Sequence, residues 1–549
     1  MNKIYVWRFY FVLAVLALLL SVMFARALDL QVISKEFYIE QGLQRFERVE
    51  DFKVARGNIL DRNGSPLAVS TPVTTIWADP SELQEKDLPI IARLSGTSLN
   101  TLKNRYNPKK RFIYIARQLA PEQADKLISL KLKGVYRTDE FKRYYPAGEV
   151  IAQLIGFTNI EDHGQSGLEL EYENHLTGHD GAKRVLKTRK GDSIRDVQMI
   201  KESKVGQDIQ LTIDLQLQYL AYKELKKAVT KLHAVSGSVV ILNVENNEVL
   251  AMANMPSFNP NDGAQRSGVA LRNRSLINQY EPGSVMKAFT LAAALESDKF
   301  DDKTIIDAKP MRISGRSTML EDPRYYGKID LSTILEKSSN VGVTKIALEL
   351  GDQAMWSQFY KLGFGQSSGL SFPGEVTGYL PNHKNWQEVQ LSSLSFGYGI
   401  TVTPMQLAQA TAVIANDGVK LPLKLLKNSQ FMTAAPESVM SKYNAKTLRE
   451  MMFQVVEKGT GKKASVGNYS VAGKTGTARK VGREGYIDDQ HVASFIGFAP
   501  VVEPKIVIVV VIDSPQGESY GGGAVAAPVF SSVVQQALPL LNVIPKEKL

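Results

Sequence analysis

The apolar positions of this chain change their period along its length, and each change predicts a different element. Phe9 to Ala25 is an apolar run of 17 residues, with Lys3 and Arg8 before it and Arg26 after it. That length lies at the short end for a spanning helix and above the usual core of a signal peptide, so a retained membrane anchor is expected. Cleavage at the small-x-small stretch Ala25-Arg26-Ala27 is the alternative. Lys3 and Arg8 hold the short tail inside and send the rest of the chain across the membrane. No second apolar run approaches that length, which predicts a single-pass protein, and Asp29 to about Lys53 reads as a polar, helix-prone stalk.

The pattern then turns to short alternating runs. Arg56 to Ala68 reads as a strand, an Asn63-Gly64 turn and a second strand, with Arg56 and Asp61 expected to pair as architecture. Residues 80 to 140 mix short helical patterns with Lys103, Arg105, Lys109, Lys110 and Arg111; a solvated face is the expected reading, and contact with envelope polyanions the other. Arg143 to Pro146 and Gly167 to Tyr172 look like docking elements between segments. Leu211 to Asp214 ends a short strand and Leu215 to Leu232 takes a helical period, which places a domain boundary near residue 215. Ser238 to Val244 and Glu248 to Ala253 alternate around Asn246-Asn247 as a hairpin. A mostly helical block runs from Ser284 to about residue 415. Strands then follow at Tyr469 to Ala478, Val492 to Ala499 and Ile506 to Asp513, with a closing helix from Ala526 to Leu541. Strands at both ends of a helical block predict an α+β fold, one antiparallel sheet flanked by helices.

Composition narrows the function classes. The 549 residues are 44% apolar and carry 66 Lys+Arg against 56 Asp+Glu, a net +10 that suits a membrane surface or cell envelope. No groove-reading or base-stacking pattern is present, so nucleic acid is not an expected partner. Cysteine is absent, which excludes disulfides, thiolate metal sites and a cysteine nucleophile. His175 and His179 are four apart, but Gly178 lies between them and no third ligand is near, so no metal or other cofactor is expected.

The chemistry gathers in three short stretches. Pro282-Gly283 precedes Ser284 and an apolar run from Val285 to Leu295, so Ser284 should open a helix and Lys287 should share its face one turn on. Lysine activates a serine only when its ordinary pKa of about 10.4 falls toward neutrality, through burial or a second cation. Ser338-Ser339-Asn340 falls in a break between two helical patterns. Lys474-Thr475-Gly476-Thr477 follows the small residues Val471-Ala472-Gly473 on a strand; it reads either as an edge that accepts an extended peptide and its carboxylate, or as an edge protected by a lysine.

In that order and spacing, Ser-x-x-Lys, Ser-x-Asn and Lys-Thr-Gly-Thr resemble the motif set of penicillin-binding proteins and serine β-lactamases. From Arg56 to Phe530 the chain is similar to class B penicillin-binding proteins, most closely the division-specific, septal FtsI type. Ser338-Ser339-Asn340-Val341-Gly342 and Tyr520-Gly521-Gly522-Gly523 carry the septal part of the resemblance, while Val285 and Ala288 stand where many relatives have Thr and Pro.

The resemblance implies a β-lactamase-like transpeptidase domain over 215–549, on an elongated α/β pedestal over 30–214, behind a tail and anchor over 1–29. It implies that Ser284 forms an acyl ester with a peptidoglycan stem peptide and expels terminal D-alanine, with Lys287 as its base. Ser338 and Asn340 would relay a proton and orient the substrate amide. Lys474, Thr475, Gly476 and Thr477 would hold the terminal carboxylate, and the backbone N–H groups of Ser284 and Thr477 would form the oxyanion hole. It also implies β-lactam antibiotics as inhibitors, a polytopic SEDS-type glycan polymerase and other divisome proteins as partners, and a catalytic domain on the periplasmic side of a bacterial inner membrane. An elongation-type transpeptidase, or a D,D-carboxypeptidase or β-lactamase-like hydrolase, are the alternatives; anchor and pedestal are not needed for hydrolysis. A tethered sensor has no room for a cytoplasmic signalling part, because only about eight residues precede the apolar run.

Overall fold

A computed structural model describes residues 3–187, 193–427, 434–482, 485–517 and 519–545. Helix α1, Lys3–Leu28, is the expected apolar segment. From Val6 on its side chains, Leu18 and Leu20 among them, are exposed, as in a helix built to face lipid. A second helix, Gly522–Leu540, is also long and apolar enough to cross a membrane, but half of it is buried inside the protein.

The rest divides into two compact units that interleave in sequence. One contains residues 1–55, 72–141 and 178–206. It holds an antiparallel sheet of Glu47–Phe52, Gly181–Lys187 and Ser193–Lys201. A second small core packs Ile76, Ile91, Leu102, Ile113 and Leu127 from short strands and helices. Lys103, Arg105, Lys109, Lys110 and Arg111 are all exposed there, which is the solvated-face reading.

The other unit contains residues 56–71, 142–177 and 207–549. The sequence boundary near 215 therefore does not separate the units in space, because the segments around Arg56 and Arg143 join the larger one. The reason is a buried charge cluster. Arg56 Nε donates to Glu169 Oε2 at 2.7 Å, and Arg143 Nε donates to Glu169 Oε1 at 2.6 Å. Arg56 also meets Glu173 at 2.7 Å. Arg56 does not pair with Asp61; the Asp61 carboxylate instead accepts the backbone N–H groups of Asn63 and Ser65 and closes the Asn-Gly turn.

The large unit is organised by a five-stranded antiparallel sheet with helices on both faces. In chain order its elements are α2 (Leu215–Lys231), β1 (Ser236–Asn243), β2 (Val249–Met255), α3 (Met286–Leu295), α4 (Leu331–Lys337), α5 (Asn340–Leu350), α6 (Pro404–Ala415), α7 (Lys442–Glu457), β3 (Ala472–Gly482), β4 (Gly485–Ala499), β5 (Ile506–Asp513) and α8 (Gly522–Leu540). The strand order is β2-β1-β5-β4-β3, so β3 is an edge. Strand alternation splits the side chains between two cores. Val239, Ile241, Ile508 and Val510 pack with α2 and α8, and Val240, Leu242, Val507 and Val509 pack with α3 and α6. Both faces are covered, which is why β5 reads Ile-Val-Ile-Val-Val-Val-Ile rather than alternating with polar residues.

The predicted strands near the carboxyl end fall short of the real ones. The β3–β4 pair continues past Ala478 and Val492 as a ribbon that pairs Arg479 with His491 and Lys480 with Ile487 across a bulge. Beyond the core its side chains face solvent, so no apolar period marks it.

Candidate active site

Ser284 lies in a 3-10 turn, Gly283–Val285, that runs directly into α3. Gly283 has φ +59°, and a Cβ there would stand 2.8 Å from the Thr477 carbonyl oxygen. Its N–H donates to Gly397 O at 3.1 Å. The glycine thus lets the turn that carries Ser284 lie against β3. Gly476 makes the same fit from the other side, because a Cβ on it would meet Ser494 Oγ at 2.3 Å, Val285 Cγ1 at 2.8 Å and Pro282 O at 2.9 Å. The space that Gly476 leaves open is thus filled by the chain's own turn.

Every residue of α3 is buried, and Lys287 is carried in with them. Its Nζ lies 2.5 Å from Ser338 O, 2.7 Å from Asn340 Oδ1 and 3.1 Å from Ser338 Oγ. Burial, and then the charge of Lys474, push the Lys287 pKa well below its ordinary value, against the opposing pull of Asp322. A neutral amine has two N–H donors, and the two carbonyl-type oxygens take both, which leaves its lone pair for a hydroxyl proton. Among the described residues no hydrogen bond joins Ser284 to Lys287 in this ligand-free geometry, and such contacts tighten when substrate binds.

Ser338 ends α4 in the left-handed region, at φ +57°, and Ser339 caps α5 through Gly342 N at 2.9 Å. Asp322 fixes this break. Its carboxylate accepts from the Ser339 hydroxyl, from Asn340 N at 2.6 Å and from Val341 N at 3.3 Å. Asp322 comes from an irregular segment with no spacing pattern, so nothing in the sequence singled it out.

Lys474 is equally buried, and burial lowers its pKa to about 7. Its Nζ donates to Ser338 Oγ at 3.1 Å and to Thr475 O at 3.1 Å. Ser338 Oγ therefore stands 3.1 Å from each of two lysine nitrogens, which joins all three motifs at one hydroxyl. Thr475 Oγ1 lies 2.8 Å from Thr460 Oγ1, and Thr477 Oγ1 accepts from Gly522 N at 3.0 Å. Thr460 and the Gly521–Gly523 turn are site components that motif spacing did not identify.

An open cavity of about 530 Å³ lies over this arrangement. Ser284, Ser338, Thr475 and Thr477 line it, and Thr460, Lys462 and Lys463 complete its rim. Ser284 on a helix-leading turn and Thr477 on an edge strand border one space, as two backbone donors for a single oxyanion would. Among the described residues no group of three or more His, Cys, Asp or Glu that could hold a metal ion occurs.

Comparison with known proteins gives matching descriptions. The family described as "Penicillin binding protein transpeptidase domain" matches residues 237–535, and "Penicillin-binding Protein dimerisation domain" matches residues 51–211. A probable peptidoglycan D,D-transpeptidase PbpC of Pseudomonas aeruginosa is 40% identical over 98% of this chain and 96% of its own. The peptidoglycan D,D-transpeptidase FtsI of Escherichia coli K12 is 39% identical over 98% of this chain and 92% of its own. The crystal structure of a peptidoglycan synthetase from Bifidobacterium adolescentis shares the fold, with a TM-score of 0.74, 24% identity, and coverage of 92% of this chain and 98% of that one.

Proposed function

The chain belongs to the penicillin-binding protein transpeptidase family and is a peptidoglycan D,D-transpeptidase, and from that premise we propose how its residues divide the reaction. The Ser284 hydroxyl attacks the carbonyl of the penultimate D-alanine of a donor stem peptide while Lys287 takes its proton. The N–H groups of Ser284 and Thr477 hold the oxyanion. The intermediate collapses to an ester on Ser284. The terminal D-alanine leaves with a proton that passes from Lys287 through Ser338. Asn340 orients the substrate amide, and Thr475, Gly476 and Thr477 receive the terminal carboxylate end, with Lys474 behind them. An amine of a second stem peptide then attacks the ester, forms the cross-link and frees Ser284. A β-lactam mimics the donor's terminal dipeptide and remains on Ser284.

The observation that carries this reading is the Ser338 hydroxyl, 3.1 Å from both Lys287 Nζ and Lys474 Nζ. A buried amine whose pKa is pushed down, with a hydroxyl between it and a second amine, forms a route for one proton in each direction.

In this reading residues 215–549 carry the transpeptidase, 30–214 the pedestal and 1–29 the anchor in the inner membrane, with catalysis in the periplasm. The site of action is the division septum, in company with a SEDS-type polymerase and other divisome proteins; Ser338-Ser339-Asn340-Val341-Gly342 and Tyr520-Gly521-Gly522-Gly523 support this over an elongation role. The test is a reaction of the full-length chain with a donor ending in D-Ala-D-Ala and an acceptor amine. One terminal D-alanine released per cross-link formed is the expected result. D-alanine release with hydrolysed donor and no cross-link would favour the carboxypeptidase alternative.

A further inference from the structure

Two cations on the rim of the cavity take no part in the proton path. Lys462 and Lys463 open the short turn Lys462–Ala464, are both exposed, and both line the space beside Ser284. The turn has a defined place. Gly461 N donates to Val455 O at 3.0 Å at the end of α7, and Ala464 N donates to Gly461 O at 2.8 Å. The preceding Thr460 bonds to Thr475 on the edge strand, and a Cβ at Gly523 would come within 2.5 Å of Thr460 O. The two lysines are therefore tied to the strand that receives substrate.

Among the described residues neither lysine has an ion-pair partner, and no carboxylate lines the cavity. Two adjacent ammonium groups without a counter-charge repel each other, and an incoming anion relieves that repulsion. The buried cation is committed elsewhere, since Lys474 Nζ points to Ser338 Oγ and Thr475 O. Hydroxyl donors are available on the cavity wall. Thr477 Oγ1 accepts from Gly522 N, which leaves its own O–H to give. The cavity lining thus combines hydroxyl hydrogen bonds from Thr475 and Thr477 with the charge of Lys462 and Lys463, a pairing suited to a carboxylate.

We propose that Lys462 and Lys463 supply the charge that selects the terminal carboxylate of the donor peptide, while the hydroxyls of Thr475 and Thr477 supply its hydrogen bonds. This rests on the transpeptidase reading and deepens it: the rim lysines draw the carboxylate in before acylation and let it go with the departing amino acid.

The test uses two matched thioester donors, one with a free terminal carboxylate and one with that carboxylate amidated. Rates of Ser284 acylation are measured at low and high salt. In the double variant Lys462→Gln, Lys463→Gln the ratio of carboxylate to amide acylation falls about tenfold at low salt, mostly through KM, and loses its salt dependence. The double variant Lys462→Arg, Lys463→Arg keeps the wild-type ratio. An unchanged ratio in the glutamine variant, or an equal slowing with both donors, would overturn the proposal. Failure of the wild type to be acylated by either donor would instead overturn the transpeptidase reading on which it rests.

Discussion

The large unit buries cations in two places and treats them in opposite ways. At Arg56 both buried arginines have a carboxylate partner: Glu169 receives Arg56 and Arg143, and Glu173 receives Arg56. Burial alone disfavours the Arg56 charge, but Glu169 and Glu173 outweigh it and raise its pKa. Around Ser338 two lysines are buried with hydroxyl, amide and carbonyl partners only. Burial there wins, and both lysine pKa values fall. The difference lies in the partner atoms. Carboxylates turn a buried cation into a fixed strut, whereas with neutral oxygens as partners burial is free to push an amine's pKa down.

The comparison breaks first at Lys287. Lys287→Met is expected to slow acylation of Ser284 by about 10² to 10⁴-fold, with thermal stability unchanged or raised, because it replaces a buried amine that has no carboxylate partner by an apolar side chain of similar length. Burst kinetics with a chromogenic β-lactam and a melting curve on the same sample check both halves. A large loss of stability would place Lys287 with the struts.

Glu169→Ala is the converse. It leaves Arg56 and Arg143 buried without their shared carboxylate and should cost about 3–5 kcal/mol of stability, measured by denaturant unfolding. Acylation per folded molecule should stay near the wild-type value.

The smallest effects concern pH, and their signs follow from the causes of the Lys287 shift. Lys474 lowers the Lys287 pKa and Asp322 raises it. With Lys287 as the proposed base, acylation needs its amine neutral, so the rate falls as pH drops through the Lys287 pKa. Lys474→Met should move that acid limb to higher pH, and Asp322→Asn should move it to lower pH, each with a loss of about tenfold in maximal rate. Shifts in the same direction would show that the two side chains act through packing rather than charge.

Local features of this site were legible in the chain, and features that only folding brings together were not. Ser284 and Lys287 sit three apart where a 3-10 turn runs into α3, Ser338 and Asn340 share a helix break, and Lys474 to Thr477 share a strand, so each spacing carries its own geometry. The sheet was legible because its buried strands carry apolar side chains, in a continuous run at β5, and the hairpin of β1 and β2 carries a turn signal between them. Asp322, Thr460 and Lys462 sit in irregular segments, where no period predicts what a side chain meets. Glu169 was visible only as part of Gly167 to Tyr172, read as a docking element, and its role depends on Arg56, 113 residues earlier in the chain. Burial was the term that spacing could not supply, and it is the first cause of the Lys287 shift, ahead of the neighbouring Lys474 charge.

The central claim is that Ser284 is the acylated nucleophile. Its direct test is the intact mass of the full-length protein after incubation with a penicillin, followed by peptide mapping, for the wild type and Ser284→Ala. The account predicts one penicilloyl adduct per wild-type chain, on the peptide that contains Ser284, and none on a Ser284→Ala protein that melts at the same temperature. An adduct of equal yield in the variant, or one mapped to another residue in the wild type, would contradict it.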